Sequence, residues 1–326
     1  MDAKAPRPVE GLDELDGLFA SLASKSRDIR TTAAEHLCTI MEKRSRKLPA
    51  AKFEKFSSAV TGRIIDMING SSSNGKMGGI IAIGMMTEIL SAREKMVVRI
   101  ATCFHRIFEQ STDPNVLELA ARALGHLTRH GSGLCVEIVN DEVGVAFRWL
   151  GNAKFAERRL PAVLLLREFA RNTPTLFNIH VQKFLTHVWV ALGDRSEAVR
   201  YRAREALSAC MDDIAKRKLR WRQQCYERIY ETARGGMLKF DRSSLTHGSL
   251  LAVGELLDKA REFMVKQFTD TAELVLRTVN HASASKHQYI RHAVIHLLPR
   301  LALISPNRFS KQYLRTGVEY VIASLR

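Results

Sequence analysis

The sequence lacks the features of secreted, membrane-spanning and disulfide-stabilised proteins. Its five cysteines are scattered among 326 residues and never form a CxxC pair, which predicts reduced, mostly buried thiols. The nearly uninterrupted apolar run from Gly78 to Met86 is far shorter than the roughly 20 residues of a membrane helix. The first residues, MDAKAPRPVEG, do not have the basic and then apolar order of a signal peptide. A cytoplasmic location is therefore the expectation.

Motifs of catalysis and cofactor binding are also missing. The chain contains no GxxxxGK(S/T), no GxGxxG at a strand-to-helix turn, no HRD, no DFG and no HExxH, so we expect neither catalytic residues nor a cofactor. His292 and His296 are four residues apart, but no cysteine or carboxylate stands at a matching spacing, and we expect ordinary helix histidines rather than metal ligands. Ser243, Ser244 and His247 lack a third group that would orient a nucleophile, and they indicate the first turn of a helix.

What the sequence does contain is helical periodicity. Nearly every long segment has apolar residues three and four apart, and no convincing run alternates as a strand does, which predicts an all-α protein. The stretch DRSEAVRYRAREAL, residues 194 to 207, shows the pattern. Asp194 and Glu197 predict a reciprocal N-terminal cap, and Ala203 falls on the apolar stripe that follows. Arg204 lies beside that stripe, and we expect it on the surface.

Helices with this layout recur along the chain. With Ala203 as the reference, the equivalent positions hold small or apolar residues at intervals of 45, 42, 41, 42, 45 and 46 residues: Ala33, Gly78, Ala120, Pro161, Ala203, Gly248 and Val294. The residues four positions later share the same helix face: Leu37, Ala82, Leu124, Leu165, Leu207, Ala252 and Leu298. Three positions before the reference, four of the units have arginine: Arg30, Arg158, Arg200 and Arg291. A period of about 40 to 47 residues is typical of HEAT and armadillo arrays.

Each reference position is predicted to lie in the second helix of a pair. The first helices are expected near residues 9–22, 50–69, 93–110, 134–150, 175–192, 221–238, 260–280 and 307–325. These eight first helices and seven second helices predict one HEAT-repeat α-solenoid over residues 1–326, with about seven repeats and one unpaired C-terminal helix. Because arrays end in capping repeats with a polar outer face, an unpaired last helix favours the N-terminal part of a longer chain.

Six blocks of the sequence resemble the N-terminal HEAT region of target of rapamycin kinases, which belong to the phosphatidylinositol-3-kinase-related group. The blocks are NGKMGGIIAIGMM (74–86), RALGHL (122–127), FRWLG (147–151), ERRLPAVLLLREFARNTPTLF (157–177), VALGDRSEAVRYRAREAL (190–207) and DRSSLTHGSLLAVGELL (241–257). The resemblance implies a non-catalytic scaffold at the front of a Ser/Thr protein kinase, whose kinase domain lies much further along the chain. It also implies contacts with Raptor-like or Rictor-like adaptor subunits and with the rest of its own chain. The implied setting is nutrient and growth signalling in the cytoplasm, with peripheral association at lysosomal or vacuolar membranes.

An excess of positive charge leaves other partners open. The chain has 50 basic and 34 acidic residues, a formal charge of +16. The densest stretch, KRKLRWR at 216–222, forms a candidate partner-binding patch of Lys216, Arg217, Lys218, Arg220 and Arg222. Such a patch suits a solvated face or an acidic protein, a nucleic acid, or an anionic membrane. The first is favoured because only one aromatic residue interrupts the run. The alternative for the whole chain is a stand-alone basic HEAT-repeat protein that binds nucleic acid or an acidic partner.

Overall fold

The computed structural model describes residues 12–129, 133–281 and 286–324. All regular secondary structure in these ranges is helical, so the predicted all-α class is confirmed. The chain packs as two compact units, Met1–Gly144 and Val145–Arg326. The expectation of one solenoid over 1–326 stays a prediction.

In its described part the first unit contains seven complete helices. They are α1 (Asp16–Leu22), α2 (Arg27–Lys47), α3 (Ala50–Asn69), α4 (Ser73–Met85), α5 (Thr87–Ser91), α6 (Glu94–Gln110) and α7 (Pro114–Thr128), and a short 3-10 turn, Asp13–Leu15, comes before α1. The eighth helix, α8 (Gly133–Gly151), contains the boundary between the units.

The second unit continues the same alternation of helices and short turns. Its helices are α9 (Arg159–Asn172), α10 (Pro174–Phe177), α11 (Val181–Leu192), α12 (Glu197–Ile214), α13 (Leu219–Met237), α14 (Ser243–Lys259), α15 (Arg261–Asn280), α16 (Gln288–Ile304), α17 (Pro306–Gln312) and α18 (Leu314–Ser324). Two 3-10 turns, Ala153–Arg158 and Asn178–His180, precede α9 and α11.

The observed helices follow the predicted pairs with four local differences. The described part of the first helix predicted over 9–22 consists of the 3-10 turn Asp13–Leu15 and α1. The second helix of the second pair is interrupted at Met86, where α4 gives way to α5. The first helix predicted over 175–192 consists of α10, a 3-10 turn and α11, and the one predicted over 307–325 is divided at Tyr313. The predicted ends at residues 9 and 325 lie outside the described residues.

Within each unit the helices form two rows. Second helices pack on second helices, as α4 does on α2 and α7, and as α14 does on α12 and α16. First helices likewise pack on first helices, α3 on α6 and α13 on α15. This is the packing by which helical hairpins that cannot bury an apolar face alone build a shared core.

The repeat register is visible in the burial of side chains. All seven reference positions are buried, and so are all seven positions four residues later. Pro161 lies in the first turn of α9, where its missing N–H costs no intrahelical hydrogen bond. The apolar stripe predicted from a period near 3.6 residues is therefore the face on which the second helices pack.

Two reference positions are glycines because a carbonyl group lies against them. A Cβ atom on Gly78 would overlap the carbonyl oxygen of Leu22 at the end of α1, and one on Gly248 would overlap that of Leu192 at the end of α11. In both cases the second helix of one repeat lies against the end of the preceding repeat's first helix. Only a residue without a side chain allows this approach.

The predicted cap of α12 is wrong in detail. The helix begins after Ser196, whose side chain makes no capping hydrogen bond. Asp194 instead accepts a hydrogen bond from the N–H of Ser196 at 2.7 Å and one from Nη1 of Arg159 at 2.7 Å. The carboxylate therefore orders the turn before the helix and joins it to α9.

Candidate interaction surfaces

The predicted basic patch occupies the turn between α12 and α13 and the first residues of α13, and its five cations have two different roles. Arg217 pairs with Asp213 at 3.1 Å, and Nη1 of Arg222 donates to the carbonyl oxygen of Ala215 at 3.1 Å. These two side chains hold the turn in place. The other three patch residues, Lys216, Lys218 and Arg220, are exposed.

A groove opens beside this turn, between α13 and α15. It has a volume of about 530 Å³. One wall is the face of α13 that carries Leu219, Arg222 and Tyr226, and the other carries Phe263 and Lys266 of α15. We call this feature the α13/α15 groove. Sequence reasoning found its rim through the basic run but missed the facing wall, which lies about 40 residues further along the chain.

Two of the four arginines three positions before the reference, Arg30 and Arg200, order the turns inside their repeats. Nη1 of Arg30 donates to the carbonyl oxygens of Ser24 and Lys25 at 2.8 and 3.0 Å. Nη1 of Arg200 donates to those of Asp194 and Arg195 at 2.8 and 2.9 Å. The two arginines thus bind carbonyls six and five residues before themselves, one in each unit. Both side chains are buried.

The buried side chain of His247 completes the hydrogen-bond network of Arg200, a structural role that the sequence did not indicate. Nε of Arg200 donates to Nδ1 of His247 at 2.7 Å, and the guanidinium lies 4.5 Å from the centre of the Tyr289 ring. Burial, reinforced by the charge of Arg200, lowers the pKa of His247 to about 3. His247 is therefore a neutral hydrogen-bond acceptor at physiological pH, with its proton on Nε2.

Ion pairs join neighbouring second helices of the second unit. They are Arg167–Glu205 at 2.7 Å, Arg204–Glu255 at 3.6 Å, Arg300–Asp258 at 3.1 Å and Lys259–Asp212. The expectation that Arg204 lies on the surface was wrong, because its side chain is only 32% exposed and faces Glu255 of the next second helix. These charges are used within the array.

First helices are joined by polar contacts of a similar kind. In the second unit the hydroxyl of Tyr230 donates to Asp270 at 2.6 Å, and burial followed by that hydrogen bond raises the pKa of Tyr230 well above its usual value. In the first unit Nδ1 of His105 lies 2.8 Å from Glu142, whose pKa is raised by burial. Each pair lies between helices of successive repeats, so it contributes to stacking.

The residues considered for catalysis have structural partners, and those considered for metal binding face solvent. The Ser244 hydroxyl donates to the carbonyl oxygen of Gly193 and that of Ser243 accepts from Tyr289, whereas His247 is held by Arg200. His292 and His296 are exposed on α16. Over residues 12–129, 133–281 and 286–324 there is no group of three or more histidine, cysteine or acidic side chains that could hold a metal ion. Within the same ranges no helix is both long and apolar enough to cross a bilayer.

Comparison with known proteins relates the sequence to one group. No protein-family model matches the chain. The chain is 38% identical over 315 residues to the serine/threonine-protein kinase TOR of Arabidopsis thaliana, 33% identical over 324 residues to that of Oryza sativa, and 30% identical over 308 residues to tor1 of Schizosaccharomyces pombe. These matches cover 96%, 99% and 94% of the chain. The chain is homologous to the N-terminal region of target of rapamycin (TOR) kinases.

The homology covers a small part of each TOR relative. The chain spans 12% of the Arabidopsis protein and 13% of the rice and fission-yeast proteins, and the matched part is their N-terminal segment. The 326 residues contain none of the kinase motifs sought above. The family resemblance inferred from six sequence blocks is confirmed over almost the whole chain.

Solved structures support the fold independently of the TOR sequences. The karyopherin Kap121p bound to the SUMO protease Ulp1p superposes with a TM-score of 0.56 at 13% identity, covering 96% of this chain and 31% of the karyopherin. Kap121p bound to Nup53p gives 0.55 at 14% identity, with the same coverage. At such low identity the likeness concerns the helical solenoid fold alone.

Proposed function

We propose that this chain is the non-catalytic N-terminal HEAT arm of a TOR-type Ser/Thr protein kinase and that it helps to hold adaptor subunits in a nutrient and growth signalling complex. The observation that carries the proposal is homology to TOR kinases over 94–99% of the chain in their N-terminal segment. The kinase activity would belong to the rest of the parent protein.

The distribution of polar contacts supports a scaffold. Buried charges such as Arg200 and Arg167 are engaged between helices and turns, which stabilises the stack. The outward sides of the helices and the turns remain available to partners. Solenoids use such extended surfaces for binding. Raptor-like or Rictor-like adaptors and the remainder of the parent chain are the partners we propose, and we place the complex in the cytoplasm, peripheral at lysosomal or vacuolar membranes.

The proposal is tested by measuring adaptor binding directly. The purified chain is mixed with a Raptor-like or a Rictor-like subunit of the same organism and analysed by size-exclusion chromatography with light scattering. We expect a complex of defined mass with at least one of the two. Elution of the chain alone with both adaptors, at concentrations of about 10 μM, would contradict the adaptor role. Because solution affinity depends on electrostatics as well as packing, the mixtures are compared at low and physiological salt.

A further inference from the structure

We propose that the α13/α15 groove binds an acidic polypeptide segment that inserts one apolar side chain between the two helices. The inference rests on the proposed scaffold function and specifies the chemistry of one partner. It is carried by three features of the groove: its shape, its unbalanced charge and its apolar floor.

The groove has the size and position of a peptide site. Its volume of about 530 Å³ lies within the roughly 300–1,000 Å³ of clefts that hold small ligands. It runs between the starts of two neighbouring first helices, α13 and α15. An extended segment can therefore lie across the turn and reach both helices.

The charge around the groove is positive and largely uncompensated. Eight cationic residues line it or form its adjoining turn: Lys216, Arg217, Lys218, Arg220, Arg222, Lys259, Arg261 and Lys266. Four acidic residues stand beside them: Asp212, Asp213, Asp258 and Glu262. Three of the four are already paired, with Lys259, Arg217 and Arg300 respectively.

Two of the eight cations, Lys259 and Arg217, have ion-pair partners, and Arg222 donates to the carbonyl oxygen of Ala215. The other five have no ion-pair partner among the described residues and are exposed: Lys216, Lys218 and Arg220 on the turn and the start of α13, and Arg261 and Lys266 on α15. Turn and helix thus place positive charge on both sides of the groove. Complementary charge of this kind steers an acidic partner and fixes its orientation.

The floor distinguishes a peptide from a nucleic acid. Leu219 is 56% exposed at the groove's edge, and the rings of Tyr226 and Phe263 lie 6.0 Å apart beneath it. Tyr226 is only 4% exposed, so its face cannot serve as the aromatic platform on which single-stranded nucleic-acid sites stack bases. An apolar side chain that covers Leu219 and the edge of Phe263 would bury the kind of anchor that dominates protein interfaces.

The test uses three fluorescent probes and two double variants. One probe is a 12-residue peptide of Glu, Asp and Gly with a central Leu, the second has Ser in place of that Leu, and the third is a single-stranded 12-mer of thymidylate. The groove variant is Arg261→Glu with Lys266→Glu. The matched control, with the same change of charge, is Arg308→Glu with Lys311→Glu on α17, where both side chains are exposed.

Fluorescence anisotropy at 150 mM salt gives the expected order. The leucine peptide binds at least threefold more tightly than the serine peptide. The groove variant weakens its binding at least tenfold, and the control variant by less than twofold. Equal weakening by the two variants would show a response to net charge alone, and equal binding of the two peptides would remove the apolar anchor. Tighter binding of the oligonucleotide would replace the peptide with a nucleic acid. Each of these three results overturns the proposal.

Adaptor binding by the same variants separates this inference from the scaffold function. If the adaptor binds the wild-type chain while no acidic peptide does, the groove proposal fails and the scaffold proposal stands. If the leucine peptide binds in the groove while neither adaptor binds the chain, the scaffold proposal fails and the groove proposal stands. Melting curves by circular dichroism verify that both double variants are folded, which their exposed positions lead us to expect.

Discussion

Replacing Gly248 by alanine places one methyl group at the closest approach between two repeats. Gly248 lies inside α14 and is fully packed against the end of α11. The new Cβ would overlap the carbonyl oxygen of Leu192 and would lie 2.5 Å from its carbonyl carbon and 3.0 Å from its Cβ. Because the closest atoms belong to the backbone, no change of rotamer relieves the overlap.

The magnitude follows from two opposing effects. In an unobstructed helix, Gly→Ala stabilises by about 1 kcal/mol, because alanine has the higher helix propensity. Here the overlap forces α14 away from α11, and overpacking a well-packed core costs about 1–3 kcal/mol, occasionally more. An overlap with rigid backbone belongs at the upper end of that range. We therefore expect Gly248→Ala to lower the free energy of unfolding by about 2 kcal/mol.

The control is the same substitution in a neighbouring helix. Gly235 is exposed in α13, and nothing lies within 4 Å of a Cβ built there, so Gly235→Ala should raise stability by up to about 1 kcal/mol. Both variants are unfolded in urea and followed by circular dichroism at 222 nm, and hydrogen exchange of the amides near Leu192 reports the local effect. If Gly248→Ala is as stable as the wild type while Gly235→Ala behaves as expected, the inferred close approach is wrong.

Three further predictions use the same denaturation assay. Ala203→Glu places an unpaired charge at a position with 0% exposure and should lower the free energy of unfolding by several kcal/mol. Ala198→Glu, at an exposed site of the same helix, should stay within about 0.5 kcal/mol of the wild type. Equal losses of stability in the two variants would refute the repeat register. Lowering the pH from 8 to 5 should reduce the free energy of unfolding by about 2 kcal/mol through His247. Its pKa in the folded state, about 3, lies below an unfolded value near 6.5, so only the unfolded state gains the proton. This part of the pH dependence should vanish in His247→Gln, and its persistence would assign the effect to other groups. Arg200→Met leaves two carbonyls and His247 without their donor and should lower the free energy of unfolding by about 3 kcal/mol. Arg195→Met changes an exposed side chain and should be nearly neutral. Similar stabilities of the two variants would contradict the role of Arg200 in ordering the turn.

The sequence predicts the helices and their buried faces well because both depend on local spacing. The apolar stripe through Ala203 and Leu207 follows from the 3.6-residue period, and the 41 to 46 residue intervals carry it to the other six units. The spacing of the regular repeats also assigns the reference position in an irregular one, such as Pro161.

Contacts between repeats were not predictable in the same way. Arg204 meets Glu255, 51 residues further along, and Arg200 meets His247, 47 residues further along. The sequence shows one repeat length but not which side chains on adjacent helices point at each other. That choice depends on the rotation and offset of α12 relative to α14, which are set by how the side chains of the two helices interlock.

The basic run shows why a charge pattern is a weak guide to a binding site. The five cations of the run 216–222 look equivalent in the sequence, yet Arg217 and Arg222 order the turn while Lys216, Lys218 and Arg220 face solvent. The missing information was again long-range, because the facing wall of the groove comes from α15. A run of charge therefore identifies a region, and only the fold decides which charges are free to meet a partner.

These differences follow from how a helical repeat divides its residues. Positions in the seam between repeats are constrained by a neighbour of fixed shape, as Gly78 and Gly248 are by the carbonyls of Leu22 and Leu192, and any substitution there perturbs the stack. Positions on the outer ends of the first helices, such as Arg261, have no such neighbour and can change without loss of fold. The contacts between repeats therefore specify the architecture without specifying the partner. The partner is recognised by exposed charges outside these contacts, and the five exposed, unpaired cations at the α13/α15 groove are such a set.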